Sequence, residues 1–220
     1  MALIRVVNPN SNPAVTAGLD ACVDAFRQPG RIEIACDTLA AGPFGIETDA
    51  HVAEVAAPLL AHMQANPADV QIIACYSDPG LALCRAHIDV PVFGIMESAI
   101  MTALARGGQF GVIALSEAAI ARHLRAIRAL GVSDRLAGER PIAMSVADSG
   151  GDHAFDQLAL AGVRLIEEDD ADTVILGCAG MAPHRNRLET ALGKPVIDPV
   201  QAATGMALST LLVSRADVKV

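Results

Sequence analysis

The chain has 220 residues, 52% of them apolar and only 3% aromatic, with no tryptophan and a formal net charge of −9. That length allows one large domain or two lobes of about 100 residues each, and the aliphatic composition suits a parallel sheet buried on both faces by helices. With no basic run, a nucleic-acid partner is not expected, and no stretch reaches the ~18 consecutive apolar residues of a membrane span.

Met1–Arg5 runs straight into a strand-like segment without the pattern of an export signal. Five cysteines without framework spacing then read as free thiols in a reducing cytoplasm. Leu3–Val7 is the first strand candidate. It is followed by Asn8-Pro9-Asn10-Ser11-Asn12-Pro13, a turn able to cap a helix over Asn12–Phe26. Asn8 is the residue of this turn assigned to hydrogen bonding with a ligand. Ile32–Ala35 is the second strand. Gly42-Pro43-Phe44-Gly45-Ile46-Glu47 is a loop suited to closing a cleft, with Phe44 as an apolar wall.

Apolar residues at i, i+3, i+4 spacing predict a helix over Thr48–Gln64. The strand Val70–Ala74 then runs into Cys75-Tyr76-Ser77-Asp78-Pro79-Gly80-Leu81, where Ser77 or Asp78 is placed to cap the next helix and Pro79 to occupy its first turn. A helix N-terminus carries free N–H groups and partial positive charge, which favour a thiolate at Cys75 and offer donors to a substrate oxygen. Val92–Ile95, Phe110–Ala114 and Ile142–Val146 continue the series of strands, with helices over Glu97–Arg106, Glu117–Leu130 and His153–Asp169. Of the six histidines, His51, His62 and His123 fall in helical segments and are assigned to solvated faces. Glu167–Asp170 reads as a solvated helix end.

The strand Thr173–Leu176 leads into Gly177-Cys178-Ala179-Gly180-Met181-Ala182-Pro183. Small residues flank this second cysteine, letting a ligand approach the backbone, and Pro183 marks another helix start. Pro195–Ile197 and a helix over Pro199–Val213 close the pattern. Strands alternating with helices of this length predict a parallel α/β architecture.

An internal duplication runs through this series. Ile4–Val7 resembles Gly111–Ala114, Val70–Cys75 resembles Thr173–Cys178, and Val90–Phe93 resembles Lys194–Ile197, in the same order and each a little over 100 positions apart. Two copies of one unit related by a pseudo-two-fold axis place equivalent points face to face. Ligands of open parallel sheets bind beyond the carboxyl ends of the strands, and often at the seam between lobes. Both arguments bring Cys75 and Cys178 to one cleft. The predicted fold is therefore two pseudo-symmetric α/β lobes, each a parallel sheet flanked by helices, with the active site at their interface. Cys22, Cys36 and Cys84 read as core or near-core thiols. No Cys/His spacing suits zinc, and Gly107-Gly108 is a turn before a strand rather than a dinucleotide loop.

The segments Asn8–Ser11, Gly42-Pro43 with Ile46-Glu47, Cys75–Leu81, Val92–Glu97 and Gly177–Met181 resemble the hydantoin and allantoin racemase branch of the aspartate/glutamate racemase superfamily, over nearly the whole chain. Cys75-Tyr76-Ser77 stands where aspartate and glutamate racemases usually carry Cys-Asn-Thr, which points to the hydantoin branch. After the Phe110–Ile113 strand, Ala114-Leu115-Ser116 stands where the family often has a Thr pair, leaving Ser116 as the remaining hydroxyl.

The resemblance implies a first lobe of residues 1–98 with 198–220, a second lobe of 99–197, and a last helix returning to the first. It also implies a homo-oligomer acting on a small molecule with neither cofactor nor metal, and Cys75 and Cys178 as paired acid/base residues. The reaction it implies is inversion of the carbon next to a carbonyl, first of all in 5-substituted hydantoins. Backbone N–H groups at Ser77, Ala179 and Gly180 would then stabilise an enolate oxygen together with Asn8. Allantoin or amino-acid racemisation and malonate-type decarboxylation are the nearest rivals within the superfamily. A two-lobed binding protein without chemistry is the rival from another class.

Overall fold

The computed structural model describes residues 1–27 and 30–214. Two four-stranded parallel sheets form its frame. The first contains β1 (Ala2–Asn8), β2 (Ile32–Thr38), β3 (Val70–Ile73) and β4 (Val92–Gly94), in the order β2-β1-β3-β4. The second contains β5 (Phe110–Ala114), β6 (Leu136–Pro141), β7 (Thr173–Leu176) and β8 (Val196–Ile197), in the order β6-β5-β7-β8. Replacing each strand of the first sheet by the one four places later reproduces the second, so the duplicated sequence anchors occupy equivalent strands. The central strands read as continuous apolar runs because helices cover both faces: all of Val70–Ile73, Phe110–Ala114 and Thr173–Leu176 are buried.

Helices α1 (Pro13–Cys22), α2 (Asp49–Ala65), α3 (Leu81–His87) and α4 (Ile95–Arg106) belong to the first half of the chain. Helices α5 (Glu117–Ala129), α6 (Phe155–Glu167), α7 (Arg185–Leu192) and α8 (Pro199–Ser214) belong to the second. Asn12, Thr48 and Ser116 start three of them, each side chain accepting a backbone N–H of the first turn. The last helix of each half crosses over. α4 follows β4 but packs against β5, β7 and β8, whereas α8 follows β8 and packs against β1, β3 and β4, with the two helices in contact along their length. The largest apolar cluster is continuous between the two sheets, joining Ile4, Val6 and Ile72 to Ile113, Leu176 and Cys178.

One predicted strand is displaced. The sequence places the sixth strand at Ile142–Val146, where the apolar residues are, but β6 is Leu136–Pro141. β6 is a sheet edge, all six of its residues partly exposed, so it lacks the apolar run of a central strand and ends on a proline that an edge tolerates. Ile142 and Val146 are buried instead in the loop that follows. That loop is tied to the end of β5 by backbone bonds from Ile142 to Ala114 and from Met144 to Leu115. Asp78 also differs from expectation. It does not cap α3, which begins at the left-handed Gly80 without a side-chain cap. Its carboxylate instead accepts the Met96 and Glu97 N–H groups at 3.0 and 2.9 Å and so caps α4.

Gly177 joins β7 to the second cysteine. A methyl group there would overlap the backbone oxygen of Ile113, to which the Gly177 N–H donates at 2.8 Å. Since neither backbone has room to withdraw, Gly177→Ala is expected to destabilise the fold by about 1–3 kcal/mol. Urea unfolding monitored by circular dichroism will read this as a lower midpoint at unchanged slope.

Candidate active site

Beyond the carboxyl ends of β3 and β7 a narrow cavity lies between the two lobes. The first lobe contributes Ala74, Cys75, Tyr76 and Ser77, with Asn10, Val15 and Ile46 at the side. The second contributes Gly177, Cys178, Ala179 and Gly180, with Leu115, Arg122, His123 and Val146. Cys75 and Cys178 thus reach the same space from opposite lobes, each just past its own central strand, and both are free thiols.

The local geometry at the two sulfurs is repeated. Cys178 stands at the start of a 3-10 helix over Ala179–His184, and its Sγ accepts the Gly180 N–H at 3.4 Å, with Ser149 Oγ at 3.8 Å. Cys75 receives the Ser77 backbone N–H in the same i, i+2 relation. These donors favour thiolates, as the sequence leads one to expect. Desolvation in the enclosed cavity outweighs them: burial pushes Cys75 up to about 12, with the neighbouring Cys178 adding to the rise and Arg122 opposing it. Burial also raises Cys178, against the Gly180 and Ser149 hydrogen bonds. Burial thus favours the neutral thiol at both positions.

Of the other residues singled out in the sequence, Ser77, Ala179 and Gly180 line the cavity. Asn8 does not. It is fully buried, its side-chain amide donating to Asn10 Oδ1, the Asn12 carbonyl and Thr16 Oγ1, and so fixes the loop that presents Asn10 to the cavity. Phe44 is 63% exposed and outside the cavity, and the wall expected of it is supplied two residues later by Ile46. The Ser116 hydroxyl accepts the Ala119 N–H at 3.3 Å as the cap of α5, leaving Leu115 and Ala119 as its cavity-lining neighbours.

His123 is not on a solvated face. It is buried, with Nδ1 2.8 Å from Glu139 Oε2 and its ring edge-on to Tyr76 at 4.9 Å between centroids. Burial raises the Glu139 carboxyl, and His123 opposes the rise. Sequence reading missed this pair, as well as Asn10 and Arg122. Periodicity places His123 on α5 but does not show that α5 lies over the cysteine loop of the opposite lobe. Among the described residues no group of three His, Cys, Asp or Glu side chains gathers as metal ligands, and no helix is long and apolar enough to cross a membrane.

Comparison with known proteins places these features in context. The profile of the Asp/Glu/Hydantoin racemase family matches residues 4–207. The hydantoin racemase of Paenarthrobacter aurescens is 33% identical over 213 residues, covering 94% of this chain and 89% of that protein. The hydantoin racemase of Pseudomonas sp. strain NS671 is 32% identical over 210 residues, covering 93% and 84%. Among solved structures, the allantoin racemase from Klebsiella pneumoniae superposes with a TM-score of 0.92 at 29% identity, covering 97% of this chain and 89% of that one.

Proposed function

Because this chain belongs to the Asp/Glu/hydantoin racemase family, and is an isomerase of the racemase type, we propose that Cys75 and Cys178 are its two acid/base residues and 5-substituted hydantoins its substrates. The observation that carries the proposal is that two thiols at equivalent positions of the duplicated fold line one cavity between the lobes.

In the proposed reaction one cysteine, as thiolate, removes the C5 proton. The C–H electron pair moves into the adjacent carbonyl to give an enolate. The other cysteine, as thiol, returns a proton to the opposite face and is left as the thiolate that starts the reverse reaction. The carbonyl beside C5 already acidifies that proton, so the step balances with one thiolate and one thiol. The Ser77 and Gly180 backbone N–H groups, which hold the two sulfurs, would be shared with the enolate oxygen, alongside that of Ala179 in the same wall. Allantoin, itself a 5-substituted hydantoin, is the second substrate, a reading supported by the likeness to an allantoin racemase.

With this reading goes a division of the chain into lobes of 1–98 with 198–220, and 99–197. It is supported by the crossing of α4 and α8, although 215–220 lie outside the described residues. A cytoplasmic homo-oligomer working on a small molecule completes the proposal. Its test is incubation of single enantiomers of 5-substituted hydantoins and of allantoin in deuterium oxide. Loss of optical activity with one deuterium entering at C5 is the expected result. Carbon dioxide release from malonates, or binding with no exchange at carbon, would replace it with a lyase or a binding protein.

A further inference from the structure

A second, more open chamber lined by Asp49, Val52 and Arg125 shares Ser77, Arg122 and His123 with the reaction cavity. Arg122 lies at the junction of the two. Its side chain is only 9% exposed, yet its cation is poorly matched. Nη1 donates to the Ala118 carbonyl at 3.2 Å, and Nε has no hydrogen-bond partner. Asp49 stands 3.7 Å from Nε and is 2.9 Å from Arg125 Nη2. Two guanidinium groups therefore share one carboxylate. The carboxylate of Glu139 is engaged by His123, the neighbour of Arg122 on α5. The orphaned Nε is itself closed to solvent, so what the chamber offers a ligand is the rest of this guanidinium, whose positive charge shares one carboxylate with Arg125.

We propose that Arg122 is a specificity-determining residue that receives a carboxylate on the C5 substituent, making carboxyalkyl hydantoins the preferred substrate class of this site. The inference rests on the racemase reading of the cavity. With the ring between the cysteines, a substituent of two or three carbons leads past Ser77 into the second chamber, where its carboxylate meets the guanidinium of Arg122. Arg122 and Cys75 line the same cavity. A planar guanidinium suits this task better than an ammonium because it donates two parallel hydrogen bonds to a carboxylate.

The test compares 5-(2-carboxyethyl)hydantoin with its isosteric amide, 5-(2-carbamoylethyl)hydantoin, by kcat/KM. A ratio is read because Arg122 also acts on Cys75, and that effect is common to both substrates. The wild-type protein is expected to favour the carboxylate by about 10- to 100-fold, and Arg122→Gln to bring the ratio close to one. Asp49→Asn removes the competing carboxylate and is expected to raise the ratio. If Arg122 serves only to tie α5 to Asp49, Asp49→Asn will slow both substrates equally and leave the ratio unchanged.

Equal use of acid and amide by the wild-type protein overturns the inference even if Arg122→Gln does not fold, while leaving the racemase reading intact. Failure to racemise either compound, or any other hydantoin, overturns the racemase reading itself.

Discussion

Cys75→Ala and Cys178→Ala are each expected to abolish inversion, lowering kcat/KM by at least about 1,000-fold. The size follows from the geometry. Each sulfur approaches the cavity from its own lobe, so neither can reach the face of the ring served by the other, and a proton removed on one side cannot be delivered on the opposite side by the same group. General acid–base assistance of this kind is worth roughly 100- to 10,000-fold per group, and loss of either partner stops the cycle. The variants should differ in what remains. Each keeps one cysteine and is expected to wash solvent deuterium into one enantiomer only, without inverting it, and the two variants should select opposite enantiomers. Chiral chromatography with mass detection reads both quantities at once. Near-normal inversion by either variant would reject the two-base scheme.

The second large effect is of pH. Burial raises both thiols, Cys75 to about 12. The reaction starts from one thiolate and one thiol, so at pH 8 ionising Cys75 costs about 5 kcal/mol. The sign follows directly. Below the raised pKa the thiolate fraction grows as protons are withdrawn, so kcat/KM should climb by up to about tenfold per pH unit from pH 6.5 to 9. A plateau beginning near pH 7 would mean that the free protein already carries a thiolate, with the backbone donors at Ser77 and Gly180 prevailing over desolvation. Initial rates of optical-activity loss across that range, at substrate concentrations well below KM, distinguish the two.

Much of this site is legible in the sequence because its chemistry sits at strand ends. The apolar runs before Cys75 and Cys178 fix two buried central strands, and parallel topology then sends whatever follows them to the same edge. What stays hidden depends on contacts between halves. β6 carries Leu-Ala-Gly-Glu-Arg-Pro, a polar text that only its edge position explains. Asn8 and Asn10 are the same residue type two positions apart on one turn, and hydrogen bonding decides which is scaffold and which faces the cavity. Arg122 and His123 are ordinary members of an amphipathic helix until α5 is seen to lie over the loop that follows β3. Phe44 shows the converse, since a large apolar residue beside a cleft is not thereby inside it.

The crossing of α4 and α8 has a consequence for how such a molecule holds together. Each sheet borrows its covering helix from the far half of the chain, so a fragment containing one sheet alone would leave an aliphatic face uncovered. Two identical fragments would solve this only by trading helices, as in a domain-swapped pair. The duplicated chain is in effect such a pair with its subunits fused. Its halves are then bound to unfold as one cooperative unit, and neither cysteine can keep its surroundings without the other half in place.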